Sequence, residues 1–227
     1  MKHIIKENEE YEILIYEPIL SQVKQLDIEI PENYKIEFYD DKKDKTILIA
    51  GGNHSFGIGC TACGVMFPNI LGRKLDYNIR NISFNENNYL KKTYENLKEY
   101  KHSKVDISIL ELDYIKQNDD IFDKYYKKVI KQLKNKSENL ICWYAIPKTE
   151  LNKHEKLEKI KDKFSNDKKI KILDLSFIYD EEYSEMCTHS KNFINDTGNI
   201  MIYKQLKQNI EEINSIKNNR RKRIWNI

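Results

Sequence analysis

The sequence predicts an α/β fold: three layers, with a five-stranded parallel sheet between helices. Three observations predict it. Five apolar runs, at 46–50, 77–84, 105–113, 139–146 and 169–175, have the length and continuity of strands buried on both faces. Stretches with one apolar stripe and one charged face separate or follow them, at 88–100, 121–134, 151–164 and about 199–216. The strict alternation of the two patterns calls for crossover connections, and hence a parallel sheet.

Taken in order, the chain opens with a segment that alternates apolar and polar residues at 11–16, 26–30 and 34–39, the pattern of half-buried strands. Pro31-Glu32-Asn33 and the charged run 40–45 punctuate it as turns. Residues 1–45 are therefore expected to form a short N-terminal β segment, 46–216 the α/β domain, and 217–227 a basic C-terminal tail carrying Arg220, Arg221, Lys222 and Arg223. Asp119 and Asp120 before the second long helix, and Asp196 and Thr197 before the last, supply acidic or capping groups at helix starts.

Composition narrows the function classes. Of 227 residues, 40% are hydrophobic and 11% aromatic, enough for one folded domain with a sizeable core and against general disorder. The 39 basic and 36 acidic residues are interspersed, so the net charge of +3 gives no global basic field and no nucleic-acid partner is expected. No apolar run is long enough for a secretory signal or a membrane span, and four cysteines are too few for a disulfide framework, which together predict a cytoplasmic protein. Abundant Lys, Asn, Ile and Tyr with little Ala point to an AT-rich, bacterial coding genome. A phosphate-binding P-loop is excluded because the glycine-rich turn lacks its lysine, and a dinucleotide fold because the second strand does not end in an acid.

The turn itself, ILIAGGNHSFGIGC at 47–60, runs an apolar strand into glycines around one serine. A serine held at a strand-to-helix turn is a nucleophile if a base is within reach, so Ser55 is the first candidate. The helix FPNILGRKL follows at 67–75, and then the strand YNIRNISF at 77–84. This succession resembles the SGNH/GDSL hydrolases, whose first block reads G-x-S-I-T-x-G, followed by a Y-P-x-I-L-G-R-x-L helix and a second block N-x-G-x-S-G. The resemblance implies a flavodoxin-like sheet of the SGNH type and a serine acyl hydrolase or acyltransferase with Ser55 as nucleophile and Gly59 at the second glycine. It implies oxyanion donors in the Ser55 backbone N–H and in Gln117 or Asn118. Its second-block glycine corresponds to Glu86 or nearby. Its last block, D-x-x-H-x-x-D-x-G-N, aligns with residues 190–199, where Ser190 replaces the acid and Phe193 the base.

Phenylalanine accepts no proton, so chemistry would need another base. His189, with Glu185 or Asp180 to orient it, is the candidate; His54, adjacent to Ser55, is weaker because chain neighbours point apart. Two alternatives stand beside the altered hydrolase. One is a catalytically inactive protein that keeps the pocket for binding or as a partner subunit. The other is a zinc or thiol site at the same mouth built from Cys60, Cys63, Cys187 and His189, three thiolates and an imidazole suited to tetrahedral zinc. Otherwise no cofactor is expected. The expected ligand is a small acylated substrate or an acylated peptide or sugar, and the sequence does not fix the oligomeric state.

Overall fold

The computed structural model describes residues 2–7, 11–16, 37–38, 43–100, 104–112, 119–190 and 193–224, with side chains for most of 43–216. Strands β1 (Lys2–Glu7) and β2 (Tyr11–Tyr16) pair antiparallel as a separate two-stranded sheet, Lys2 opposite Tyr16 and Glu7 opposite Tyr11. The main sheet holds β3 (Glu37–Phe38), β4 (Thr46–Ala50), β5 (Asn78–Asn81), β6 (Val105–Glu111), β7 (Ser137–Tyr144) and β8 (Ile170–Asp174), in the order β3-β5-β4-β6-β7-β8. The last five named are parallel, as the alternating pattern requires. β3 is added antiparallel at the edge beside β5, so part of the predicted strand 34–39 joins the main sheet. The predicted strand 26–30 lies outside the described residues.

Period-two alternation divides each central strand between two cores. Leu48 and Ala50 of β4 and Leu110 of β6 face one layer, where they meet Leu90 and Leu97 of α3 (Tyr89–Glu99), Phe122, Val129 and Leu133 of α4 (Asp119–Lys136), and Leu157 and Ile160 of α5 (Leu151–Phe164). Ile47, Ile49, Ile107, Ile109, Ile141 and Trp143 face the other. There they meet Phe67 and Leu71 of α2 (Phe67–Leu75) and Ile202, Leu206 and Ile210 of α7 (Asp196–Ile224), which follows the short α6 (Glu181–Cys187). Among the described residues no helix is long and apolar enough to cross a membrane.

Two boundaries differ from the sequence pattern for visible reasons. Regular strand in the run 77–84 ends at Asn81, whose side chain accepts from the Ser83 N–H (3.1 Å) and donates to the Ser55 carbonyl (2.8 Å), while Ile82 and Phe84 still donate to the Ile49 and Gly51 carbonyls alongside β4. The last helix starts at Asp196 rather than 199, its first carboxylate held by the Thr61 N–H at 2.8 Å.

The loop after β4 is drawn tight against β10 (Phe193–Ile194), which pairs with β9 (Thr188–Ser190). Gly59 sits at φ +95°, and a Cβ there would stand 2.3 Å from the Ile194 carbonyl oxygen. Gly59→Ala is therefore expected to cost about 2 kcal/mol or more, combining left-handed strain with displaced backbone. Gly64→Ala, whose nearest new contact would be Arg73 at 3.8 Å, should stay within about 0.5 kcal/mol. Urea unfolding of the two variants checks the contrast.

Candidate functional site

In the order β5-β4-β6-β7-β8 the chain steps from β4 to one side for β5 and to the other for β6. The crevice beyond their carboxyl ends is where open α/β sheets take ligands. The turn after β4 occupies that position. Gly51 and Gly52 lead into the four-residue helix α1 (Asn53–Phe56), which Gly57 ends at φ +104° by donating its N–H to the Asn53 and His54 carbonyls.

Glu111, the final residue of β6, organises this turn. Ala50 pairs with Leu110, so the next residue lies beside Gly51. Its carboxylate accepts from the backbone N–H groups of Ser55 (2.7 Å), Gly52 (3.1 Å) and His54 (3.3 Å), and from His54 Nδ1 (2.8 Å). Glu111 is 1% exposed and Ser55 0%. Burial alone would push the carboxyl up, but the His54 charge and hydrogen bond, with the Ser55 dipoles, outweigh it and hold Glu111 below its ordinary 4.5. The His54 ring packs 6.3 Å from Trp143, which Phe67 meets edge-on at 5.5 Å. Tyr89 donates its hydroxyl to the Glu111 carbonyl at 3.0 Å.

Ser55 thus lies under the turn. Its hydroxyl is close enough to Glu111 to bias that carboxylate, yet it does not meet hydrogen-bond geometry there, and among the described residues its buried Oγ has no hydrogen-bond partner. Its backbone N–H, expected as an oxyanion donor, is already taken by Glu111. Counted without a gap, G-x-S-I-T-x-G laid on Gly51 to Gly57 puts Asn53 at the motif's serine and Ser55 at its threonine. This register differs from the expected one, in which Ser55, the turn's only serine, takes the nucleophile position. Glu111 was not among the expected site residues; its only signal in the sequence is an acid at the carboxyl end of a strand, directly after the apolar pair Ile109-Leu110.

The remaining candidates are scattered. His189 lies in a cleft of about 720 Å³ together with Asp180 and Glu185, the carboxylates expected near it, and with Lys148 and Tyr179; Ser55 does not line this cleft. Lys148 pairs with Asp180 at 2.8 Å. Gln117 and Asn118 lie outside the described residues, as does the side chain of Cys63. Cys60 and Cys187 are buried, and burial pushes the Cys187 thiol up, as it does the Cys142 thiol inside β7. Cys60, Cys187 and His189 do not gather their ligand atoms into one group. Glu86 is paired with Lys92.

The last block locks the first. Asp196 accepts from Thr61 through both its N–H and its hydroxyl, Asn199 Oδ1 accepts from the Phe67 N–H at 3.2 Å, and Asn195 donates its N–H to the Cys187 carbonyl at 2.8 Å. Phe193 stands half-buried in β10, where the motif carries its base.

Sequence comparison matches no family model and no curated protein. Structure comparison does find similar folds. A GDSL-like lipase from Bacteroides ovatus, described as putative, superposes with a TM-score of 0.56 at 17% identity, over 78% of this chain and 55% of that one. A two-domain esterase active on acetylated mannans gives 0.55 at 9% identity, over 74% and 49%. The salicylyl-acyltransferase SsfX3 of a tetracycline biosynthetic pathway gives 0.55 at 12%, over 77% and 57%. The fold is that of the SGNH/GDSL hydrolases. The chain spans about half the length of these structures.

Because Glu111 is held low in the folded state, its stabilisation is complete above pH 4.5 and is lost as the pH falls from there through the lowered value. Glu111→Gln, which leaves His54 and the turn without their anion, should cost about 3–5 kcal/mol at pH 7. It should also flatten the decline in stability below pH 4.5; urea unfolding across pH 3 to 7 of both proteins measures it.

Proposed function

We propose that this chain is a non-hydrolytic ligand-binding protein on the SGNH scaffold, taking an acylated sugar in the cleft beside the ends of β7 and β8. One observation carries the reading: the Ser55 hydroxyl is sealed beneath the turn, and the N–H that would stabilise an acyl-serine oxyanion is spent on a buried carboxylate. A fixed anion at that place opposes both the deprotonation of the serine and the charge of a tetrahedral intermediate. Asn53 at the motif's serine and Phe193 at its base support the same conclusion, since neither side chain supplies a nucleophile–base pair.

The ligand class follows from the chemistry of the cleft. Lys148 and Thr149 offer donors, Asp180, Glu182 and Glu185 offer acceptors, and Tyr179 and Pro147 offer flat apolar surface. Such a mixture suits a polyhydroxylated ligand with a small apolar substituent. The esterase active on acetylated mannans, of like fold, adds weight to that choice.

The test joins labelling to binding. Fluorophosphonate treatment read by intact mass should give no adduct under conditions that label an active serine esterase, and acetylated mannose oligosaccharides should bind without release of acetate. Glu185→Gln and His189→Ala should each weaken that binding about five- to tenfold, the worth of one hydrogen bond near 1 kcal/mol. A single adduct lost in Ser55→Ala, or acetate release lost in that variant, would establish the hydrolase instead.

A further inference from the structure

Outside the residues that line the cleft and the Glu111 turn, three side chains of metal-ligand type converge: His154, Glu158 and Asp174, whose ligand atoms all lie within 4.8 Å of one another. Among the described residues no other group of three or more His, Cys, Asp or Glu does so. We propose that they form a binding site for a divalent transition-metal ion, zinc being the ion chosen for the test.

The arrangement follows from two elements. His154 and Glu158 are four residues apart on α5, so they rise from the same face one turn apart. Asp174 is the last residue of β8 and meets that face from the sheet side. His154 Nε2 and Asp174 Oδ2 stand 3.4 Å apart. Two ligands of one tetrahedral zinc, each bonded at about 2.0–2.1 Å, are separated by about 3.3 Å, so these atoms already have the spacing of a shared ion. Three protein ligands of nitrogen and oxygen type leave a fourth position for water, and side-chain exposures between 26% and 35% leave an entry path.

An outer layer already orients each ligand. Asp174 accepts the Ser176 N–H on Oδ1 at 2.8 Å, which leaves Oδ2 turned to His154. The Tyr144 hydroxyl donates to Glu158 Oε1 from the end of β7, and the Tyr144 ring holds the His154 imidazole edge-on, centroids 6.2 Å apart at 89°. Such partners fix ligand geometry in metal sites. Lys161 Nζ lies 3.2 and 3.3 Å from the two Glu158 oxygens, where its ammonium balances one carboxylate and competes with an incoming cation.

The experiment uses the full chain, stripped with a chelator and titrated with zinc by calorimetry, with cobalt as a spectroscopic stand-in. The expected result is one zinc per chain, weakened at least tenfold in His154→Gln and in Glu158→Gln and about tenfold in Tyr144→Phe, with circular dichroism unchanged. Cobalt should give visible bands of a four-coordinate site without thiolate charge transfer. Lys161→Ala should tighten binding. The proposal is overturned if stoichiometric zinc is not taken up, if the His154 and Glu158 variants retain it, or if cobalt reports sulfur ligation. None of these readouts depends on the sugar-binding reading.

Discussion

The carboxylate of Glu111 is the constraint on which the mouth of this protein depends. An ionised carboxylate in a closed interior costs several kcal/mol unless its lone pairs are filled. Here three backbone N–H groups and an imidazole fill them. The same contacts close the loop between β4 and α1, tie it to the neighbouring strand β6, and turn Ser55 toward the sheet. Helix α1 is too short to persist alone, so its one turn owes its shape to this anion and to the Asn81 bond that holds the Ser55 carbonyl.

A second set of contacts fixes the opposite wall. Thr61 with Asp196, Phe67 with Asn199 and Gly59 with Ile194 bring the last block against the first, across more than 130 residues of chain. Both blocks also enter the layer containing Trp143, Phe67 and Ile194, so packing and polar contacts support one geometry. The motif positions that would carry proton transfer hold Asn53 and Phe193, while their neighbours hold the backbone in place. The contacts that set the backbone are thus separate from the motif positions themselves, consistent with the general independence of fold and site.

What the chain exposes follows from that separation. The cleft holding His189, Asp180 and Glu185 is formed by the segments after β7 and β8, whereas the sealed turn follows β4. The expectation that one mouth would unite Ser55, His189 and the cysteines rested on all these loops leaving the same edge of the sheet. The loop after β4 does meet the last block, Gly59 against Ile194 and Thr61 against Asp196, but Ser55 is held beneath the turn by Glu111 while His189 lines the cleft beyond β7 and β8. The His154, Glu158 and Asp174 group arises from the complementary effect, a strand end and a helix face meeting because α5 crosses back over β8.

Alternation of apolar runs and amphipathic stretches by itself determined the five parallel strands, the helices between them and the place of the glycine turn, because burial of one face is written as local periodicity. The antiparallel edge strand β3 was legible as a strand but not as a partner of β5, since pairing depends on contacts some forty residues away. Within the site, the serine and its glycines could be read directly, and so could Asp180, Glu185 and His189 as neighbours. Only the tertiary structure decided that Ser55 faces inward, that Glu111 holds the turn, and that Cys60, Cys187 and His189 do not gather into one group. Those outcomes depend on which side chain a folded backbone turns toward a buried charge, and no local pattern of residues records that choice.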